Sequence, residues 1–189
     1  MLKLILYMIM LPTIALSQEK IGDNGLYEQD WFHQSFLEFN DDAIEASESG
    51  KYLMVLIEQA GCAYCRELHR VNFQNKKILK NLRDNFLIVQ LDLWGSREVV
   101  GLDGMSYEER NWVIKNDIFF TPTTLIYEVR PNREVKEIFR MPGYLKPFHY
   151  MSSLEYIVTQ QYLEKNFQHY LQEKFDAMRA RGETIDVWQ

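Results

Sequence analysis

The sequence predicts an α/β fold in which a central mixed β-sheet carries helices on both faces. Residues 52–57 form a continuous apolar run of strand length, which is typical of a central strand buried on both sides, and residues 86–91 predict a second central strand. A helix-forming segment separates them, and a strand pair with a turn at Pro131-Asn132 follows. Parallel strands that cross over helices, with an antiparallel pair at the end, form a sheet covered on both faces.

Length and composition fit one globular domain with an appended helix. The chain has 189 residues, of which 47% are hydrophobic, and its formal net charge is −6. A chain of this size does not need disulfide staples to fold. No basic patch of the kind that duplex binding needs is present in the sequence, so nucleic acid is not an expected partner.

The N-terminus has the layout of a secretory signal peptide. Residues 1–17 begin with one early cation, Lys3, continue with an apolar run and end in the small residues Ala15 and Ser17, which fit a cleavage site. The apolar run, residues 4–16, is shorter than the roughly 20 residues that span a bilayer. We therefore expect an exported protein, with an uncleaved anchor as the alternative.

The next elements follow an irregular lead-in. Residues 18–34 contain several turn-forming residues, and we expect a short strand near residues 36–39. Asp41 and Asp42 can cap a short helix, because carboxylates accept the free N–H groups of a first helical turn. Gly50 ends this predicted helix.

Helices and an insertion surround the second apolar strand. The sequence predicts one helix over residues 63–71 and another over residues 76–83, just before that strand. Residues 92–105 form an insertion with turn signals. Ser106, with Glu109 three residues later, has the pattern of a capping box and predicts a helix that begins there.

The C-terminal part predicts a hairpin and two helices. Residues 124–129 and 134–140 form the hairpin, and a helix follows over about residues 147–161, so the main domain is expected to cover residues 35–162. Residues 163–189 form a C-terminal helical extension with apolar side chains at helical spacing. Packing on the domain is favoured over pairing with a partner, because most amphipathic stripes face a core.

Cys62 and Cys65 are the two cysteines of the chain, and they stand at the predicted junction of a strand and a helix. The free N–H groups and the dipole at a helix N-terminus stabilise a thiolate, which is the nucleophile of disulfide exchange. Cys62 would thus attack a partner's disulfide, and Cys65, one turn on, would resolve the mixed disulfide. A static disulfide would close only a small loop and would constrain the unfolded chain little.

Metal binding is an alternative for these cysteines. Cys62, Cys65 and His69 could supply three soft ligands for copper or for an open zinc site. Redox chemistry is the leading interpretation, because a Cys-x-x-Cys pair beside a strand–helix–strand pattern is typical of redox proteins. A further alternative is a binding or holdase module that works without its cysteines.

Two other features fit redox chemistry. Thr121-Pro122 stands just before a predicted strand, where a cis proline would turn the chain sharply and leave the Thr121 backbone to pair with a bound segment. Glu58 ends the first apolar strand. Burial disfavours the charged form of a carboxylate, so Glu58 could carry protons for Cys65 during resolution. A solvated carboxylate at the strand end is the alternative.

This arrangement resembles the thioredoxin fold. Cys62-x-x-Cys65 follows an apolar strand, and Thr121-Pro122 stands downstream of it, within a resemblance that covers about residues 35–162. The resemblance implies a thiol–disulfide oxidoreductase with Cys62 as the nucleophile, Cys65 as the resolving thiol and Pro122 in the cis form. It implies no diffusible cofactor, because the redox-active disulfide Cys62-Cys65 itself carries the electrons.

The chain departs from cytoplasmic thioredoxin near these cysteines. Gly61 stands where thioredoxin has tryptophan, and Leu56 stands where it has a buried aspartate, whereas Tyr64 and Thr121 are similar to the residues of exported DsbC-type proteins. The stretches EQAGCAYCRELHRVNF, LDLWGSREV, FTPT and PGYLKPFHY resemble the periplasmic thioredoxins of bacterial sulfur-oxidation clusters, the SoxW type.

The SoxW-type resemblance implies a monomer in the periplasm that reduces disulfide-bearing or persulfide-bearing partner proteins. A membrane protein would return electrons to the oxidised pair. Disulfide oxidation or isomerisation is the alternative within the same chemistry, although we see no dimerisation domain that would help an isomerase. The reduction potential would distinguish reduction of partner disulfides from disulfide oxidation, because a strongly oxidising value favours an oxidase.

Overall fold

The computed structural model describes residues 20–188, and the expected signal peptide, residues 1–17, lies outside them. Within the described part of the chain, no helix is both long enough and apolar enough to cross a membrane. The elements, in chain order, are α1 Phe39–Glu48, β1 Tyr52–Glu58, α2 Ala63–Glu67, a π-turn Leu68–Asn72, α3 Lys76–Asn85, β2 Phe86–Asp92, β3 Glu98–Val100, β4 Ser106–Glu108, α4 Glu109–Lys115, β5 Thr123–Val129, β6 Val135–Pro142, α5 Pro147–Val158, a 3₁₀ turn Gln161–Leu163 and α6 Phe167–Ala180.

A four-stranded mixed sheet is the centre of the fold, with the strand order β2-β1-β5-β6. β1 pairs with β2 in parallel, while β5 is antiparallel to both β1 and β6. The parallel pair is joined through α2 and α3, and β5 and β6 form the predicted hairpin. The predicted α/β fold with a central mixed sheet is therefore confirmed.

The central strand β1 is buried on both faces, as its continuous apolar run predicts. Successive side chains of a strand point to opposite faces, so β1 contributes to two separate cores. One core packs β1 against α1 and α4 and includes Leu53, Val55, Ile57, Phe39, Ala43, Trp112 and Val113. The other packs β1 against α3 and α5 and includes Met54, Leu56, Ile78, Leu82, Leu154 and Ile157.

The expected strand at residues 36–39 is wrong. Glu38 makes only a single bridge to Val100, and Leu37 has a φ of 63°, which breaks an extended chain. Phe39 already begins α1, and its fully buried ring packs edge to face on Trp112 at 4.9 Å. The helix before Gly50 is confirmed but begins earlier than expected, because burial of Phe39 draws this residue into the first turn.

The helix predicted to begin at Ser106 is confirmed as α4, but its predicted start is wrong. Ser106 lies in β4, which pairs with β3 inside the region predicted as an irregular insertion, and α4 begins only at Glu109. The buried Glu109 carboxylate accepts hydrogen bonds from the N–H groups of Asp92 and Arg97 and from the Arg97 guanidinium, at 3.0, 3.1 and 2.6 Å. Glu109 therefore links the insertion, through Arg97, to Asp92 at the end of β2, and it does not form a capping box with Ser106.

The C-terminal helix α6 lies on the domain. The Phe167 ring contacts Phe139 and Tyr156 at 5.3 and 5.4 Å between centroids, and Phe175 contacts Phe148 at 5.2 Å. None of the residues of α6 is fully buried, so the helix covers the domain surface through one face only. The apolar stripe thus packs on the domain, as the sequence favours.

Candidate redox site

Cys62 and Cys65 form a disulfide at the junction of β1 and α2, with the Sγ atoms 2.17 Å apart. Gly61 has a φ of 71°, in the left-handed region that favours glycine, and this residue turns the chain from the sheet into the helix. Cys62 is the N-cap of α2, where its Sγ accepts the Cys65 N–H at 3.0 Å. In the reduced protein this N–H would donate to a Cys62 thiolate, which the helix dipole also stabilises.

The two cysteines differ in accessibility. Cys62 is 7% exposed, whereas Cys65 is 0% exposed. A partner's disulfide can therefore approach only the Cys62 sulfur. This asymmetry supports the prediction that Cys62 is the attacking thiol and Cys65 the resolving thiol.

The helix that carries these cysteines is not uniform. The predicted helix over residues 63–71 is α-helical only over Ala63–Glu67 and continues as the π-turn Leu68–Asn72. Single π-turns inside helices frequently occur at functional sites. Here the π-turn contains His69, whose side chain lies in the protein interior.

Thr121 and Pro122 lie beside Cys62, as the sequence predicts. The Thr121-Pro122 peptide bond is cis. Thr121 Oγ1 donates to Cys62 Sγ at 3.4 Å, and the Thr121 carbonyl oxygen lies 3.6 Å from the same sulfur. The Gly143 N–H donates to the Pro122 carbonyl oxygen at 2.8 Å and joins this loop to the segment after β6. The fold thus brings a distant loop into contact with the Cys62 sulfur.

Glu58 is fully buried at the end of β1, so the alternative of a solvated carboxylate is wrong. Its Oε2 accepts hydrogen bonds from His69 Nε2 at 3.0 Å and from Gln90 Nε2 at 2.5 Å. Its Oε1 is buried and has no hydrogen-bond partner in the described part of the chain. Gln90 was not predicted from the sequence, although a polar residue inside an otherwise apolar central strand is a signal for a buried polar contact.

The structure does not assemble the three-ligand copper site that the sequence offers as an alternative. The sulfurs of Cys62 and Cys65 are bonded to each other, and both ring nitrogens of His69 are engaged, by Glu58 and by Gln29. Among residues 20–188, no group of three His, Cys, Asp or Glu side chains is placed to hold a metal ion.

Four aromatic side chains, three exposed and Tyr144 half-buried, lie around Thr121, the residue that contacts Cys62, and we call this cluster the aromatic rim. Phe119 and Phe120 are 70% and 65% exposed, directly before Thr121. Tyr64 stacks on Tyr144 with centroids 6.2 Å apart. These four residues line one pocket of about 430 Å³ together with Gln59, Leu93, Thr121 and Gly143.

Only Tyr64 of the aromatic rim was singled out from the sequence. Exposure decides whether an aromatic side chain belongs to a core or to a surface, and a single sequence does not show it. The available signal was the position of Phe119-Phe120 next to Thr121-Pro122. Exposed apolar patches are typical of surfaces that bind a partner.

Known proteins share the fold of this chain. Residues 39–157 match the family model described as a thioredoxin-like domain. A thioredoxin-fold protein from Helicobacter pylori has a TM-score of 0.54 at 19% identity, over 75% of this chain and 92% of that chain. A thioredoxin from Thermus thermophilus has a TM-score of 0.52 at 14% identity, over 64% of this chain and 84% of that chain. At these identities the two structures are similar to this one in fold alone.

No curated protein gives a significant match to this sequence. The family model nevertheless covers most of the chain, from the first residue of α1 to the last turn of α5. It includes the cysteine pair and the cis proline. The chain belongs to the thioredoxin-like domain family.

Proposed function

We propose that the chain is an exported thiol–disulfide oxidoreductase that reduces disulfides of periplasmic partner proteins through Cys62 and Cys65. The observation that carries the proposal is the Cys62–Cys65 disulfide at the start of a helix, next to the Thr121-Pro122 loop. Membership of the thioredoxin-like domain family supports the same chemistry. The electrons are held on the two sulfurs, so the reaction needs no diffusible cofactor.

The reaction has two exchange steps. In the first, the Cys62 thiolate attacks one sulfur of the partner's disulfide, which breaks and releases one partner thiolate. In the second, Cys65 loses its proton and attacks Cys62 Sγ, which breaks the mixed disulfide and releases the second partner thiolate. The protein ends in the oxidised state that the structure shows, and the partner gains two electrons.

The partner's segment is expected to bind in an extended form. The backbone of Thr121 lies beside the nucleophile and can pair with such a segment in the manner of an added strand. The aromatic rim offers apolar contact area next to Thr121. The target is therefore an exposed disulfide in a loop or extended segment that carries apolar neighbours.

We propose that this reductase acts in sulfur metabolism. The stretches that resemble SoxW-type thioredoxins support a role in reducing disulfides or persulfides of sulfur-oxidising proteins. The signal-peptide pattern of residues 1–17 supports the periplasmic location. Since the periplasm is oxidising, a membrane protein that carries electrons across is needed to regenerate the dithiol.

Insulin reduction with dithiothreitol as the electron source tests the activity. We expect the wild-type chain to accelerate the precipitation of the insulin B chain and the Cys62→Ser variant to be inactive. A Cys62→Ser variant as active as the wild type overturns the proposal.

The reduction potential of the cysteine pair tests whether the protein reduces or oxidises its partners. A value near −270 mV, as for thioredoxin, supports reduction, and one near −120 mV, roughly that of a strong oxidant, contradicts it.

A further inference from the structure

The turn between β1 and α2 places Gln59 next to the insertion that follows β2. The Cys62 N–H donates to the Gln59 carbonyl oxygen at 3.3 Å, so Gln59 opens the turn that leads to the cysteine pair. The Leu93 N–H donates to the Glu58 carbonyl oxygen at 2.7 Å and extends the pairing of β1 and β2 by one residue. This extension brings the start of the insertion to Gln59.

Hydrogen-bond chemistry fixes the orientation of the Gln59 side-chain amide. Trp94, in the insertion, lies with its indole Nε1 3.0 Å from Gln59 Oε1. An indole N–H can only donate, so the atom that it meets is the amide oxygen, and the amide nitrogen Nε2 is on the other side. Trp94 is itself held in a turn, because its backbone N–H donates to Asp92 Oδ1 at 3.0 Å. The insertion therefore holds Gln59 with both Nε2 hydrogens directed away from Trp94.

The pocket at the aromatic rim already uses two of its hydroxyl donors. The Thr121 hydroxyl donates to Cys62 Sγ, and the Tyr144 hydroxyl lies 3.1 Å from Asn72 Oδ1. Asn72 Oδ1 accepts that proton, because Asn72 Nδ2 donates to the Leu145 carbonyl oxygen at 2.9 Å and fixes the amide. Neither hydroxyl proton is therefore available to a bound segment.

Two other side-chain donors of this pocket make no hydrogen bond within residues 20–188: the Tyr64 hydroxyl and Gln59 Nε2. Tyr64 is 64% exposed, so its hydroxyl can bond to solvent. Gln59 is half-buried, but its Nε2 atom is not buried, so a bound partner can reach it. A donor that a partner covers without offering an acceptor loses free energy, so the partner must supply an acceptor at this position.

We propose that Gln59 is a specificity-determining residue whose Nε2 donates to a main-chain carbonyl oxygen of the partner's segment, and that Trp94 is the positioning residue that holds it in this orientation. This inference rests on the proposed function and names what the partner offers beside its disulfide. The segment is extended, because the carbonyl groups of a helix are already paired. Its residue next to the attacked cysteine is uncharged, because no charged side chain is among the described residues that line the pocket.

Two substitutions remove the hydrogen bonds while they keep the shape of the side chains. Gln59→Met keeps the length of the chain without the amide, and Trp94→Phe keeps an aromatic ring without the indole N–H. The measured quantity is the ratio of kcat/KM for insulin to the rate constant for dithiodipyridine, a small neutral disulfide that offers no peptide carbonyl. We expect Gln59→Met to lower this ratio about threefold to tenfold, as for the loss of one hydrogen bond. Trp94→Phe should lower it about threefold, because Gln59 must then be ordered on binding.

The double variant distinguishes positioning from an independent contact of Trp94. Gln59→Met combined with Trp94→Phe should give a ratio no lower than Gln59→Met alone, because Trp94 acts only through Gln59. Gln168→Met, the same change at an exposed residue of α6, is the control and should keep the wild-type ratio. An unchanged ratio in Gln59→Met, or multiplied effects in the double variant, overturns the inference.

Nitrogen-15 NMR tests the contact without relying on turnover. The Cys65→Ser protein is trapped as a mixed disulfide with a blocked peptide in which phenylalanine follows cysteine, and in a second sample with mercaptoethanol. We expect the Gln59 Nε2 hydrogens to shift downfield only in the peptide complex, and equal shifts in the two samples overturn the inference. If the wild-type protein reduces neither insulin nor dithiodipyridine, the proposed function fails. Activity towards both, with an unchanged ratio in Gln59→Met, overturns the role of Gln59 alone.

Discussion

The hydroxyl of Thr121 donates to Cys62 Sγ at 3.4 Å, although 59 positions separate the two residues in the sequence. The contact joins the loop before β5 to the N-terminus of α2, and it adds a donor to the Cys65 N–H that already points at the sulfur. Two donors on one sulfur stabilise negative charge there. The reactivity of Cys62 therefore depends on a residue outside the Cys-x-x-Cys motif.

Thr121→Val should make Cys62 less reactive at neutral pH. Valine keeps the shape of the side chain but removes the hydroxyl donor, so the thiolate loses one charge-assisted hydrogen bond. We expect the alkylation rate of the reduced protein by iodoacetamide to fall about threefold to tenfold. Thr124→Val, the same change within β5, is the control and should leave the rate unchanged. Equal rates for Thr121→Val and wild type would contradict the assigned role of the hydroxyl.

The double variant Phe119→Ser, Phe120→Ser should weaken binding of protein substrates selectively. Both rings are largely exposed on the aromatic rim, so their loss should not disturb the fold. We expect the KM for insulin to rise about tenfold, which is typical for the loss of an apolar contact at the centre of an interface. The reaction rate with dithiobis(nitrobenzoate), which is too small to need this surface, should stay almost unchanged. Phe36→Ser, at a ring that is 94% exposed in the lead-in, is the control. An equal loss of activity towards insulin and towards dithiobis(nitrobenzoate) would argue against a docking surface for protein substrates.

Glu109→Ala should destabilise the fold. The change leaves the N–H groups of Asp92 and Arg97 without their buried acceptor, and it releases the Arg97 guanidinium. We expect urea unfolding to show a loss of about 2–3 kcal/mol in the free energy of unfolding. Glu108→Ala removes only a surface ion pair with Arg110 and should cost less than about 0.5 kcal/mol. Equal losses in the two variants would show that Glu109 does not anchor the insertion.

Asp42→Asn should change how stability depends on pH. Burial raises the pKa of Asp42 above 3.8, against the opposing effects of the Ser35 hydrogen bond and of His33. The folded state therefore holds this proton more tightly than the unfolded chain, so ionisation destabilises the wild type as pH rises through that window. Asparagine can still accept from Ser35 and does not titrate. The free energy of unfolding of the variant, minus that of the wild type, should therefore increase from pH 3.8 towards neutrality, so that the variant becomes the relatively more stable protein. A constant difference would contradict this.

The elements that could be predicted from the sequence are those with strong local patterns. β1 is almost entirely apolar and β2 largely apolar, and Thr121-Pro122 and the cysteine pair are compact motifs. The failures lie where a distant contact overrides the local pattern. The spacing of Ser106 and Glu109 favours a capping box, but the buried donors of Asp92 and Arg97 take the carboxylate instead.

The cysteine pair of the candidate site could be predicted from the sequence, but the buried contacts of Glu58 and His69 could not. Glu58 was placed at the right strand end, but its side-chain partners come from the π-turn and from the neighbouring strand β2. His69 suited a metal site in sequence because its spacing from Cys65 is that of one helical turn. Only the packed structure shows that its ring faces Glu58 and Gln29. Such contacts depend on tertiary packing, which spacing alone does not encode.

The most direct test of the central claim is the amount of nitrobenzenethiolate that the reduced protein releases from dithiobis(nitrobenzoate). The proposed mechanism predicts that the wild-type protein releases two equivalents in successive steps and ends with the Cys62–Cys65 disulfide. Cys65→Ser should release a single equivalent and remain as a mixed disulfide on Cys62, and Cys62→Ser should react far more slowly. Rapid release by Cys62→Ser, at the wild-type rate, would contradict the assignment of Cys62 as the nucleophile.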